Sequence, residues 1–545
     1  MSSPIFLFLD YGDLSLFMSE TARMTKAAGV VGAATLVSRI LGFVRDVIVA
    51  WFFGAGLAAD AFFVAFRIPN LLRRLFAEGS LTISFIPVFT EYLSRNGREE
   101  AFRLARSAFL LLSIVLAAVA VVGILLSPTI IRVIAPGFFS SPEKVDLTVL
   151  LTRIMFPYIF FIGLVALCMG ILNALGHFAA PAFAPVLLNL AMISAVLLLS
   201  SHLEKPAVAL AIGVVVGGSL QLGLQIPFMI RKGFRPALRG PLYHPGIKRI
   251  AVLMTPAVFG AAVYQINIFV GTLLASLLPE GSVSYLYYAD RLVQFPLGVF
   301  GIALATAILP SLSRQAVLND MEGLRSSFAY ALKMVFFITI PAMTGLIVLK
   351  EPIVRLLFQR GAFDAATTRF TTEALFYYAL GLCAFSGVRI VVSTFYAIQD
   401  TKTPVKIAVV SLLVNIVLSI SLMGPLRHGG LALATSLAAV VNLILLIQAL
   451  KKRLGRIGVR DILGSILKST ASAALMGCGI NVAALWWIPK CAGSTWHLMI
   501  LVIGGVVLGS LLYGTCAFLF RSRELVAMIE IVRSNLRKND DALGP

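Results

Sequence analysis

The stretch AGVVGAATLVSRILGFVRDVIVAWFFG, residues 28–54, and the stretch DAFFVAFRIPNLLRRLFAEGSLTISFIPVFTEYL, residues 60–93, decide how this chain is read. Each is long and apolar enough to cross a bilayer. Yet the first carries Arg39 and Arg45, and the second Arg67, Arg73 and Arg74. A guanidinium stays charged at any attainable pH. At the centre of a membrane helix each one costs roughly 2.5–3.5 kcal/mol on insertion scales. Such groups persist where they face a water-filled cavity or meet anions. The nearby carboxylates, Asp46, Asp60 and Glu78, are too few to neutralise all five arginines. The pattern predicts an inward-facing cationic cavity that takes an anionic substrate from within the membrane.

Composition points the same way. The chain has 545 residues, 59% of them hydrophobic and 13% charged, with a mean hydropathy of +0.95. A soluble domain of that character would expose large apolar patches and aggregate. The net charge of +20 does not require nucleic acid, because much of it falls in loops between apolar stretches. Cys168, Cys383, Cys478, Cys491 and Cys516 are scattered without CxxC spacing, so neither a disulfide framework nor a metal site is indicated. Residues 1–23 hold Asp10, Asp13 and Glu20 and lack a basic start, which argues against a signal peptide; Met24 offers an alternative initiator.

Apolar stretches of sufficient length give about fourteen transmembrane helices, an all-α polytopic membrane protein. The first six cover 28–54, 60–93, 102–135, 147–176, 180–201 and 206–231. Six more cover 247–278, 283–314, 326–350, 367–399, 404–424 and 429–453, and two follow at 462–489 and 495–520. Loops after even-numbered helices are rich in Lys and Arg, as in Arg95 to Arg106, Arg231 to Arg249 and Lys451 to Arg460. Loops 55–59 and 279–282 have no basic residue. This bias places both termini in the cytoplasm. One exception stands out: 350–369 carries Lys350, Arg355, Arg360 and Arg369 on the expected outer side.

A weak internal repeat organises the helices. Arg67 and Arg291 are offset by 224 positions, Pro181 and Pro404 by 223, and Ala209-Leu210-Ala211 recurs 223 positions later as Ala432-Leu433-Ala434. Three matches in one register suggest a duplicated six-helix unit, related by an axis along the membrane normal. The expected organisation is an extension at 1–24, an N-lobe at 25–235, a C-lobe at 236–455, a helix pair at 456–520 and a cytoplasmic tail at 521–545. Two lobes around a central site is a transporter plan.

On a regular helix Arg39 and Asp46 share a face, with Arg45 about 120° away. Arg67 and Arg74 share another face, and Arg74 reaches Glu78 at i, i+4. Asp290-Arg291 in the eighth span is a further candidate. Ion pairing, or side chains reaching for the interface, is the competing explanation for these groups.

These residues also resemble a known family. Asn70-Leu71-Leu72-Arg73-Arg74-Leu75-Phe76-Ala77-Glu78-Gly79 is similar to the signature of MurJ/MviN proteins. So are Ser38-Arg39-Ile40-Leu41-Gly42-Phe43 with Arg45-Asp46, Asp60 to Phe66, Tyr288 to Leu292 and Lys402 to Lys406. The resemblance runs from about residue 25 to 520. It implies a lipid II flippase of the multidrug/oligosaccharidyl-lipid/polysaccharide exporter superfamily, a peptidoglycan-biosynthesis transporter rather than an enzyme. Substrate binding is then expected at Arg39, Arg45, Arg73, Arg74 and Arg291, with Asp46, Asp60, Glu78 and Asp290 as supporting acids. The terminal helix pair is expected to carry the lipid tail. No cofactor is implied; the membrane potential or an ion gradient supplies the energy. Expected partners are lipid II, membrane lipids and the cell-wall synthesis machinery, and the expected location is the bacterial inner membrane. Two departures bear on the ion. Helix 8 has Gln294 where some relatives have a carboxylate, and helix 7 has Gln265 and Asn267 where some have an acid in a sodium site.

Other functions fit less well. A polyprenyl-glycan transferase would need a catalytic carboxylate or a substantial loop, and the loops here are short with no DxD pair. A drug or cation exporter of the same superfamily would favour an acidic cavity. A flippase for another polyprenyl-diphosphate glycan shares the same anionic anchor and stays open on these residues.

Overall fold

The computed structural model describes residues 11–74, 81–236, 241–487, 494–530 and 533, and among these residues every regular element is helical. The first half comprises α1 (Tyr11–Phe53), α2 (Leu57–Leu72), α3 (Leu81–Arg95), α4 (Gly97–Ile134), α5 (Pro142–Met155), α6 (Pro157–Ala174), α7 (Ala179–Leu199), α8 (Val208–Arg231) and α9 (Pro245–Ser276). The second comprises α10 (Ser282–Pro296), α11 (Ala303–Val317), α12 (Met321–Val348), α13 (Lys350–Phe358), α14 (Ala365–Ala379), α15 (Leu382–Ala397), α16 (Lys402–Leu454), α17 (Val459–Trp487) and α18 (Thr495–Leu519).

Nine helical stretches among the described residues are long and apolar enough to span a membrane, or ten if α14 and α15, bent by 42°, form one span. Helix α16 counts once although it has 53 residues. At 1.5 Å per residue that is about 80 Å, enough for two crossings. Arg427, at φ 48° and ψ −130°, breaks it into the two helices expected there.

Several expected spans are interrupted for identifiable reasons. The 147–176 stretch is two helices, α5 and α6, broken at Pro157, which has no N–H to continue the ladder. The 283–314 stretch is α10, a π-helical segment Leu297–Ile302 directly after Pro296, and α11. The 60–93 stretch ends as α2 at Leu72 and resumes as α3 at Leu81; Glu78 lies outside the described residues.

The described chain groups into two compact units. Unit 1 holds the residues up to Val49, Val64–Arg132 and Pro142–Ala262. Helices α7 and α8 lie against each other there, and α8 also packs on α6. Gly213 permits the close approach, since a Cβ would sit 2.8 Å from the Met192 Cα.

Unit 2 holds Ala50–Phe63, Val133–Ser141 and the residues from Val263 onward. Its core draws Phe328, Leu332 and Phe336 from α12, Phe395 from α15 and Leu446 from α16. Helices α17 and α18 join this core, with the Tyr513 hydroxyl donating to the Phe337 carbonyl at 2.7 Å. Just past α18, the buried Glu524 carboxylate accepts from the Ser465 hydroxyl at 2.7 Å and the Ser522 hydroxyl at 2.7 Å.

Burial pushes the Glu524 pKa up, but the Ser522 and Ser465 hydroxyls and the Lys333 charge outweigh it, so the carboxyl titrates below its ordinary 4.5. A group depressed in this way contributes stability above its unfolded pKa and loses it as pH falls through the folded value. Acidifying the detergent-solubilised protein below about pH 4.5 is therefore expected to lower Tm. Glu524→Gln should flatten the acid limb of the Tm–pH curve, and an identical limb in the variant would exclude this contribution.

Candidate functional site

In unit 1 the arginines of α1 are treated differently from one another. Arg45 is 9% exposed and Asp46 4%. Arg45 donates through Nη2 to Asp46 Oδ1 at 2.7 Å and through Nε at 3.1 Å. Its Nη1 donates to Asn189 Oδ1 at 3.1 Å, and the Asn189 amide donates to the Ser38 carbonyl at 3.0 Å. Asp46 thus pairs with its neighbour Arg45, and no contact joins it to Arg39 one heptad away. Arg39 is exposed and meets no hydrogen-bond or ion-pair partner among the described residues.

The signature segment of α2 departs from regular helix. Arg73 and Arg74 lie in a π-helical turn, so the 100° spacing that would align Arg67 with Arg74 does not carry through. Arg73 donates to Asn70 Oδ1 at 2.9 Å and 3.2 Å. The Nε of Arg74 is buried without a partner. Arg67 is half-buried.

Unit 2 holds the other candidates. Asp60, 1% exposed, lies at the start of α2. Its Oδ2 accepts from the Gly281 amide at 2.8 Å, and its Oδ1 from the Ser284 amide at 3.0 Å and hydroxyl at 2.6 Å. Gly281 has no side chain to cap α10, so a carboxylate from a distant helix does it, where the helix dipole favours an anion. The Tyr288 hydroxyl donates to the Gly54 carbonyl at 3.0 Å, fixing the same corner. Arg291 donates to the Tyr287 hydroxyl at 2.8 Å and lies 4.9 Å from the centre of that ring. Tyr287 in turn stacks on Phe63 with centroids 3.9 Å apart. Asp290 accepts from the Gln294 amide one turn on. The structure therefore assembles Arg45, Asp46 and Asn189 in one unit; in the other it pairs Arg291 with Tyr287 and, separately, seats Asp60 on the start of α10.

A family model described as lipid II flippase MurJ matches residues 49–507. The chain is 41% identical to the probable lipid II flippase MurJ of Vibrio cholerae over 486 residues, 88% of this chain and 91% of that one. It is 39% identical to the lipid II flippase MurJ of Burkholderia cenocepacia over 432 residues, 78% and 84% of the two chains. This chain belongs to the lipid II flippase MurJ family.

Solved structures agree. A lipid II flippase MurJ in an inward closed conformation superposes with a TM-score of 0.75 at 29% identity, covering 91% of this chain and 99% of that one. An inward-facing multidrug resistance MATE family transporter of the MOP superfamily shares the fold, at TM-score 0.65 and 16% identity over 79% of this chain and 98% of that one.

The polar side chains of α9 meet neutral partners on α16. Asn267 Oδ1 accepts from the Asn415 amide of α16 at 2.7 Å, and the Ser419 hydroxyl lies 3.5 Å from Asn415 Oδ1. Three neutral side chains satisfy one another where a sodium site built on a carboxylate would need an anion. That donor set does not fit such a site. Among the described residues no cluster of three His, Cys, Asp or Glu could hold a metal ion.

Sequence reasoning missed Asn189, Tyr287 and Ser284, which orient or engage the expected residues. Asn189 had a signal, since an amide in the apolar run 180–201 needs partners inside the membrane. It also missed Arg389 in α15, an exposed arginine of the bent 365–397 span with no partner among the described residues.

Removing the charge of Asp60 while keeping its shape tests the cap. Asp60→Asn is expected to cost about 1–3 kcal/mol, the range for a buried charged hydrogen-bond acceptor. Hydrogen exchange should show the Gly281 and Ser284 amides opening faster than the rest of α10. Unchanged exchange at those two amides would rule the cap out.

Proposed function

We infer that this chain is a lipid II flippase of the inner membrane. It moves undecaprenyl-diphosphate-linked disaccharide-pentapeptide from the cytoplasmic to the outer leaflet by alternating access. Family membership supports the substrate, and the arginines support the means of holding it. Among the described residues Arg39 and Arg74 carry charge within α1 and the α2 segment without a carboxylate partner, and Arg291 is oriented by a phenol. A guanidinium offers two parallel donors to phosphate oxygens and keeps its charge in a site of low polarity.

In this reading Arg39 and Arg74 in unit 1 and Arg291 in unit 2 are each diphosphate ligands, and Arg73 adjoins Arg74. Arg45, already compensated by Asp46 and Asn189, sets the local field and can exchange partners with the incoming phosphate. The supporting acids have distinct tasks: Asp46 neutralises Arg45, Asp60 caps α10 and Asp290 engages Gln294. The polyprenyl tail remains in lipid along α17 and α18, whose exposed faces carry Leu485, Trp486, Ile500 and Val507. The Lys/Arg-rich loops support a cytoplasmic side for both termini. The flipped lipid passes on to the cell-wall synthesis machinery.

Charge supports one reading of the energy source. An inside-negative potential drives anions outward, and moving one charge through 100 mV is worth about 2.3 kcal/mol. A multiply anionic head group is therefore pulled in the direction of export. With a neutral amide pair at Asn267 and Asn415, the potential or a proton gradient is the proposed driver rather than sodium.

The test is lipid II accessibility in proteoliposomes carrying a defined potential. Arg39→Ala and Arg291→Ala should each abolish flipping while the protein still inserts, and retained transport in either would defeat the assignment of that residue. Replacing sodium by potassium at constant potential should leave the rate of the unmodified protein unchanged. Recovered lipid II should keep its mass, since a covalent change would favour a transferase.

A further inference from the structure

Helix α13, Lys350-Glu351-Pro352-Ile353-Val354-Arg355-Leu356-Leu357-Phe358, accounts for part of the one basic loop that breaks the charge bias. It buries Pro352, Val354 and Phe358 within unit 2. Leu356, with Trp487, packs on Ala484, Leu498 and Leu501, which lie where α17 ends and α18 begins. The helix therefore sits beside one end of the pair proposed to carry the lipid tail.

Its surroundings are built rather than loose. The Ala362 amide donates to the Trp51 carbonyl at 2.9 Å, which ties the turn after α13 to the end of α1. Arg360 donates to the Leu356 carbonyl at 3.0 Å, closing the helix. Asp364 Oδ1 accepts from the Thr367 amide at 2.7 Å, capping α14. Lys350 stands 4.5 Å from the centre of the Phe376 ring. These contacts occupy Lys350, Arg360 and Asp364. Arg355 on α13 and Arg369 on the adjoining α14 have no hydrogen-bond or ion-pair partner among the described residues.

Two unpaired guanidinium groups on packed helices next to the apolar ends of α17 and α18 match a ligand with a phosphate head and a long hydrocarbon tail. We propose that Arg355 and Arg369 form a second, exit site that receives the diphosphate of the polyprenyl-linked lipid after it has left the central arginines. The proposal rests on the flippase reading above and adds a place where the product head dwells before release. It also gives a role to the four basic residues of 350–369 on a side where loops 55–59 and 279–282 have none.

The full chain in phosphatidylcholine nanodiscs, titrated with undecaprenyl diphosphate, tests this. The unmodified protein should bind two equivalents. Arg355→Gln/Arg369→Gln should bind one, with the second event weakened at least about 10-fold, as loss of charge-assisted phosphate contacts requires. Arg355→Lys/Arg369→Lys should keep both events, which separates lost charge from misfolding. Two equivalents bound by the double Gln variant would overturn the proposal. So would displacement of the second equivalent by inorganic pyrophosphate or by nanodiscs containing phosphatidylglycerol, since the site would then be a general anion or phospholipid surface. The central site is read separately: Arg39→Ala/Arg291→Ala should lose the other equivalent. If that variant still binds two, the central assignment fails and the exit site stands.

Discussion

Positive charge that cannot be discharged, held on helices that cross hydrocarbon, is the constraint the rest of this molecule answers to. The chain meets it in three ways. Arg45 is compensated by Asp46 and Asn189. Arg291 is steadied by a phenol and its ring, which cost the side chain no charge. Arg39 meets no hydrogen-bond or ion-pair partner among the described residues. Compensation everywhere would make a stable protein with nothing to offer an anion, because a paired guanidinium must give up its partner before it can bind. A graded arrangement keeps some sites available and others locally neutral.

The backbone faces a parallel constraint, since an unsatisfied amide or carbonyl inside the bilayer is expensive. Several helix breaks among the described residues are answered by their surroundings. Pro157 and Pro296 have no amide to strand. The start of α10 is completed by Asp60 from another helix, through two amides and a hydroxyl. The turn at Arg427 is accompanied by a hydrogen bond between His428 and the Phe370 carbonyl at 2.9 Å. Gly54, at φ +57°, ends the α1 corner where a Cβ would collide with the Ala362 carbonyl. Interruptions near Arg73, Arg74 and Arg291 put the irregular backbone beside the charged side chains. Strain of that kind is tolerated in membrane proteins where the backbone is buried in protein or lines a polar space.

Neutral polar contacts carry the remaining cohesion. Asn267 with Asn415, and Tyr513 with the Phe337 carbonyl, join helices without burying charge. In hydrocarbon, where helix association gains nothing from the hydrophobic effect, such bonds and close small-residue contacts hold spans together.

The sequence by itself determined the class of protein. Length, hydropathy and the rhythm of apolar runs placed almost every helix within a few residues, because a bilayer accepts few other solutions. The family was legible too, since long motifs such as 70–79 sit in fixed order. The sequence could not say which arginine pairs with which acid. Asp46 lies on the face of Arg39 by helical spacing, yet it binds Arg45, because a flexible side chain reaches where an ideal wheel does not. It could not give Asn189, Ser284 or Tyr287 their partners Arg45, Asp60 and Phe63, each more than a hundred residues away. Nor could it see that Asp60 caps α10, 221 positions downstream of it at Gly281. Local periodicity fixes where a helix runs. Only the packing of distant helices decides what each charge meets, because hydrogen bonds are satisfied in space and not along the chain.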